Sequence, residues 1–142
     1  MKGQAAVEWI VILSIAMLVL AVTLSMGEEN YRFFTDNVKA SKAKTTLNEL
    51  KNAVDFVYSQ GKDAKATVYV TVPPSSNFTI NTLPTGKGQI QAVVYVGGKE
   101  EYFDVYTEAN LTGTIPAEAG SYCMTVECSG AEVNISRSTS SC

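Results

Sequence analysis

An α+β fold is predicted for this chain: one long N-terminal helix, apolar in its first half and amphipathic in its second, packed on a small antiparallel β-sandwich or open-barrel head. Three observations predict it. Residues from Ala5 to Met26 form an almost uninterrupted apolar run. Between Phe33 and Val57 the apolar residues recur at helical spacing, and no proline occurs before Pro73. After Lys65 the pattern changes from steps of three and four to alternation, the period of a half-buried strand.

The apolar run holds 22 residues and one charge, Glu8. At helical rise it extends ~33 Å, enough to cross a hydrocarbon core of ~30 Å. A cleaved secretory signal is shorter and ends in small residues, whereas MGEENYRFF follows this run. The segment is therefore expected to stay in the mature protein. Lys2 precedes it and Glu28 and Glu29 follow it, an asymmetry that places the start in the cytoplasm and the bulk outside.

Beyond Met26 the helix continues as an amphipathic rod. Phe33, Ala40, Ala43, Leu47, Leu50, Val54 and Val57 make one face, expected to pack on the head in its distal half. Tyr31, Phe34 and Val38 make a shorter second face for neighbouring subunits, unless both belong to one broad buried face. Gly27 lowers helix propensity by ~1 kcal/mol relative to alanine, so a kink or unwound turn is expected there. Gly61 is placed to cap the C-terminus. The whole helix, Gln4 to about Gln60, would run ~85 Å, longer than a globular core of this size needs.

Five segments read as strands: 66–72, 89–96, 100–106, 121–128 and 131–137, all rich in Val, Tyr, Ile and Thr. A sixth is allowed. Gly97-Gly98 and Ser129-Gly130 read as hairpin turns, and 73–77 and 85–88 as loops. The resulting organisation is a leader at 1–3, an apolar helix at 4–26, its amphipathic continuation at 27–61 and a β-rich head at 62–142.

Composition excludes several functions. From Ala66 onward there are three basic residues against seven acidic ones, which argues against a nucleic-acid partner for the head. Histidine is absent, removing the commonest general base and metal ligand. No nucleophile–base pairing, phosphate-cradling loop or metal-ligand cluster is legible, so no enzyme, cofactor or metal is expected. Gly86-Lys87-Gly88 reads as a turn rather than a P-loop fragment, and Glu100 and Glu101 read as a solvated strand start.

Cys123, Cys128 and Cys142 all fall near the C-terminus, in a spacing that is not that of a zinc knuckle. One disulfide in an oxidising compartment is expected. On a regular strand Cys123 and Cys128 stand ~16 Å apart, beyond the ~7 Å limit between bridged Cα atoms. The bridge is therefore expected to join Cys142 to Cys128, with Cys123 as the alternative partner.

Glu8 breaks the apolar run at a cost of ~2.5–3.5 kcal/mol on insertion scales, the mark of a functional residue unless the side chain merely reaches interfacial water. Its neighbours favour function. The opening MKGQAAVEWIVIL resembles the class III signal peptide of archaeal type IV pilins. There a prepilin peptidase cuts after a glycine, glutamine becomes the first mature residue, and a small residue, a glutamate and an aliphatic residue stand third, fifth and ninth. Gly3, Gln4, Ala6, Glu8 and Ile12 occupy those positions here, with alanine for the frequent serine and isoleucine for the frequent leucine. The resemblance implies a membrane-held precursor, cleavage between Gly3 and Gln4, and a homopolymeric extracellular filament serving surface adhesion. It further implies that Glu8 meets the new amino group of Gln4 in an adjacent subunit, a pairing that sets register more than it adds stability. A monomeric signal-anchored surface protein and a minor pilin are the alternatives.

Three N-x-[ST] sequons, at Asn77, Asn110 and Asn134, fall on three of the four asparagines from Asn77 onward. They are expected to carry sugar on an external surface, or else to be unmodified polar positions.

Overall fold

A computed structural model of the chain describes residues 2–138, with side chains from Val7 onward. The fold is α+β. Helix α1 (Lys2–Gln60) is followed by strands β1 (Lys65–Val72), β2 (Ser76–Thr82), β3 (Gly88–Val96), β4 (Lys99–Thr107), β5 (Asn110–Gly113), β6 (Gly120–Cys128) and β7 (Glu132–Arg137). The chain divides into two compact units, residues 1–35 and residues 36–142. The distal part of α1 thus belongs to the head, which begins at Asp36 rather than at residue 62.

Within the head the helical stripe does what its spacing predicts. Ala43, Leu47, Leu50, Val54 and Val57 are buried in one core with Val70 and Val72 of β1, Ile90, Ala92 and Val94 of β3, Met124 and Val126 of β6, and Val133 and Ile135 of β7. Each such Val, Leu, Ile or Met side chain contributes roughly 1.5–3 kcal/mol by leaving water, and the alanines less. Gly61 ends the helix at φ 89°, its N–H reaching the carbonyls of Val57 and Tyr58. A left-handed residue is needed to turn the chain there, and glycine takes it without strain.

The strands form a four-stranded sheet of order β1-β6-β7-β5 and a three-stranded sheet of order β2-β3-β4. All pairings are antiparallel except β5 with β7, which is parallel. The sheets meet along β2 and β5, where the Thr82 hydroxyl donates to the Leu111 carbonyl at 2.9 Å. At the opposite side the edge strands β1 and β4 both lie against α1. The buried Thr46 hydroxyl donates to the Thr71 carbonyl of β1 at 2.7 Å, and the Lys44 ammonium sits 4.6 Å from the centre of the Phe103 ring of β4. The head is therefore an open barrel whose gap the helix fills, which also shields two edges from pairing with other chains.

Several local readings are corrected. Strands β2 and β5 are additional to the five predicted. The turn after β6 is longer than Ser129-Gly130: Cys128 pairs with Val133, not Ala131, and the Ser129 N–H donates to the Glu132 carbonyl. Gly97 and Gly98, both at positive φ, make the two-residue hairpin between β3 and β4 as predicted. Gly27 causes no break, because α1 runs through it. Phe33, in the proximal half of the helical stripe, is 73% exposed, and burial begins at Ala43, in keeping with packing by the distal half.

The disulfide assignment to Cys128 is overturned. Cys128 is a buried free thiol at the core, whereas Cys123 is disulfide-bonded. The register supplies the reason. Antiparallel pairing sets Arg137 opposite Met124, and the Ser138 N–H then donates to the Cys123 carbonyl at 2.8 Å. The end of β7 therefore lies beside Cys123, while Cys128 stands at the other end of the hairpin. Cys142 itself lies outside the described residues.

Candidate assembly helix and head surface

The first unit is helix alone. Gly3 and Gln4 lie within α1, and the Gln4 side chain falls outside the described set. From Val7 to Met26 the large apolar residues are all at least half exposed, for example Trp9, Leu18 and Leu24. The most apolar 18-residue window has a mean hydropathy of 2.6 and none of it is buried, so the helix is long and apolar enough to cross a membrane. Two of its polar side chains bond back to the backbone. Ser14 donates to the Ile10 carbonyl at 2.8 Å, and Thr23 to the carbonyls of Val19 and Leu20. Hydroxyls so satisfied can enter an apolar phase without a stranded donor.

Glu8 is exposed and has no hydrogen-bond or ion-pair partner among the described residues. It stands one helical turn after Gln4, on the same face of α1. Gly27 leaves open space where a side chain would stand, in a shallow depression lined by Thr23, Leu24, Glu28, Tyr31 and Arg32. Tyr31 and Phe34, from the predicted second face, are exposed.

On the head, the outer face of β2-β3-β4 gathers residues that the sequence reading did not connect. Cross-strand register aligns Asn77, Val93 and Tyr102 in one row, Thr79, Gln91 and Asp104 in the next, and Asn81, Gln89 and Tyr106 in a third. Glu100 is no idle strand start. Its carboxylate accepts the Tyr95 hydroxyl at 2.6 Å and the Tyr102 hydroxyl at 2.5 Å. Those two bonds, Tyr102 first, hold the Glu100 carboxyl below its usual value, and the same carboxylate raises both phenols. Gln91 donates to Asp104 at 2.9 Å in the adjoining row.

The three sequons fall in different settings. Asn77 on β2 and Asn134 on β7 are exposed. Asn110 at the start of β5 is half-buried: its Nδ2 faces the Glu132 carboxylate at 3.4 Å, and its Oδ1 is buried without a partner. Lys87 pairs with Glu108 at 2.7 Å beside a turn closed by the Leu83 N–H and the Lys87 carbonyl, an arrangement of a loop and not of a phosphate cradle. Among the described residues no group of three or more acidic, cysteine or histidine side chains is placed to hold a metal ion.

A third tie joins the helix to the head, at the Gly97-Gly98 hairpin. The Asp36 carboxylate accepts the Gly97 N–H at 2.8 Å and pairs with Lys39 at 3.0 Å. The Gly97 bond, then Lys39, holds the Asp36 carboxyl below its ordinary value.

No family model, curated protein sequence or solved structure matches the chain.

Proposed function

We propose that the chain is a structural subunit of an extracellular archaeal type IV pilus. It is made as a membrane-held precursor, cut between Gly3 and Gln4 by a prepilin peptidase, and polymerised with copies of itself so that its head serves surface attachment. The observation that carries this reading is the apolar helix surface from Val7 to Met26, which is exposed among the described residues. Each large side chain on it is worth roughly 1.5–3 kcal/mol when removed from water, so the segment is untenable in water and needs lipid or other helices around it.

Moving from lipid to a helix bundle exchanges one apolar surrounding for another, so close packing and register must direct assembly. Ala5, Ala6, Ser14, Ala16 and Ala21 are small enough for close approach, and Gly27 offers a notch to a neighbour. The lone carboxylate of Glu8 finds its counter-charge in the amino group that cleavage creates at Gln4 of the adjacent copy. A wrong register leaves both charges without a partner, which is strongly unfavourable in an apolar core. A heterologous contact of this kind, repeated without closure, builds a helical filament.

The test is the N-terminus and the polymer together. Filaments sheared from cells should contain this chain beginning at Gln4. Glu8→Gln should lower filament yield at least about tenfold, the factor given by ~1.4 kcal/mol per subunit contact, with membrane-held precursor unchanged. An uncut chain found only as a monomer in the membrane would reject the filament and identify a single-span surface protein instead.

A further inference from the structure

We propose that Asn77 carries an N-linked glycan whose first sugar rings lie across the outer face of β2-β3-β4 and dock on Val93 and Tyr102. The inference rests on the head being extracytoplasmic, as in the function proposed above, and on the registers of the two β-sheets.

Neighbouring strands stand ~4.8 Å apart, so Tyr102, two strands from Asn77 in the same row, lies ~10 Å away. An asparagine side chain and one or two sugar rings cover that distance. Val93 lies between them and is half-buried, a low apolar step with no competing polar group. Tyr102 is 58% exposed, and its hydroxyl is held by Glu100, which also holds Tyr95 one step along β3. The ring is thus immobilised before any ligand arrives, so docking orders little further. A pyranose offers apolar C–H groups on its faces and hydroxyls on its rim. The first suit an aromatic ring and the second suit Gln91 and Asp104 in the adjoining row.

The other two sequons lack this setting. Asn134 lies in a row with Thr112 and Glu127, in which no aromatic ring stands. The Nδ2 of Asn110, the atom a sugar would join, already faces Glu132. Covalent attachment supplies the occupant in a way that a free saccharide does not, because a tethered ligand acts at high effective concentration.

The full-length protein, purified in detergent from the cells that make it, tests this. Peptide mapping should find hexose-based glycan on Asn77. The glycosylated wild type should melt about 2–8 °C above Asn77→Gln, the shift an aromatic-face contact of ordinary size gives a domain of this length. In a Tyr102→Phe background, which keeps the ring, the increment should persist; in Tyr102→Ala it should vanish. Upfield ring-current shifts of the first sugar's protons in the wild type give a second readout that needs no variant. A bare Asn77, an increment unchanged by Tyr102→Ala, or unshifted sugar protons would each overturn the proposal. Electron microscopy of the same material separates the two readings: filaments with a bare Asn77 reject the docked glycan alone, and a docked glycan without filaments rejects the pilus alone.

Discussion

Leu50→Ala and Phe33→Ala make a paired experiment, because the two residues belong to one sequence stripe and have opposite surroundings. Leu50 is fully buried beneath both sheets, whereas Phe33 is 73% exposed. Leucine-to-alanine changes in such sites lose about 2–5 kcal/mol, the larger values arising where neighbours cannot collapse into the space. The helix here is held on both sides, through Thr46 to β1 and through Lys44 to β4, so collapse is restricted and ~3 kcal/mol is the appropriate figure. In a head of roughly one hundred residues each kcal/mol shifts the melting temperature by about 4–5 °C, which gives a fall of about 12–15 °C. Phe33→Ala should stay within ~0.5 kcal/mol, or about 2 °C, as exposed sites do. The assay is thermal unfolding of the detergent-solubilised full chain, followed by the near-ultraviolet circular dichroism of the head tyrosines. A fall below about 4 °C for Leu50→Ala, or an equal fall for Phe33→Ala, would refute the division of the helix at residue 36.

Gly113→Ala should destabilise the head by about 2–4 kcal/mol in chemical denaturation, since φ is 118° there and an added Cβ would stand 1.9 Å from the Ile135 carbonyl oxygen. Asp36→Asn should show its acid limb by difference. The folded carboxyl titrates below the ordinary aspartate value, so the charged form stabilises the head above about pH 4 and loses that effect as pH falls through the folded value. The gap in melting temperature between wild type and Asp36→Asn should therefore be present at pH 7 and close below about pH 4. Thiol labelling in the folded state should miss Cys128, while labelling in guanidinium without reductant should map a free thiol to Cys128 and none to Cys123.

Local signals were legible where one residue type does one job. The spacing of Ala43, Leu47, Leu50, Val54 and Val57 named the buried face of the helix, and glycines at positive φ marked the cap at Gly61 and the hairpin at Gly97-Gly98. Strand β2 was hidden because only Phe78 and Ile80 carry its inward alternation between polar residues. Strand β5 has four residues and pairs in parallel with β7, a nonlocal partner that no turn signal announces. The cysteine assignment failed on direction. Antiparallel pairing returns the end of β7 toward the start of β6, and that consequence of the hairpin was available in the sequence. In the apolar N-terminal segment Glu8 stood out as a lone charge, since its chemistry needs no tertiary context. The tyrosine face did not stand out, because it depends on which residues three strands set side by side.

The pairing of β1 with β6 bears on how the molecule reaches its final state. Strand β1 leaves the helix at Lys65, yet its sheet partner runs back from Glu127, so β1 has no strand partner until almost the whole chain has been made. The meander β2-β3-β4 joins only sequence neighbours and can zip up early, whereas closing the long interval between β1 and β6 carries the larger loop entropy and comes late. During synthesis, then, the leading helix is complete well before the barrel beneath its distal half exists. Shortening the chain before β6 should leave β1 as an open edge, prone to pair with whatever strand it meets.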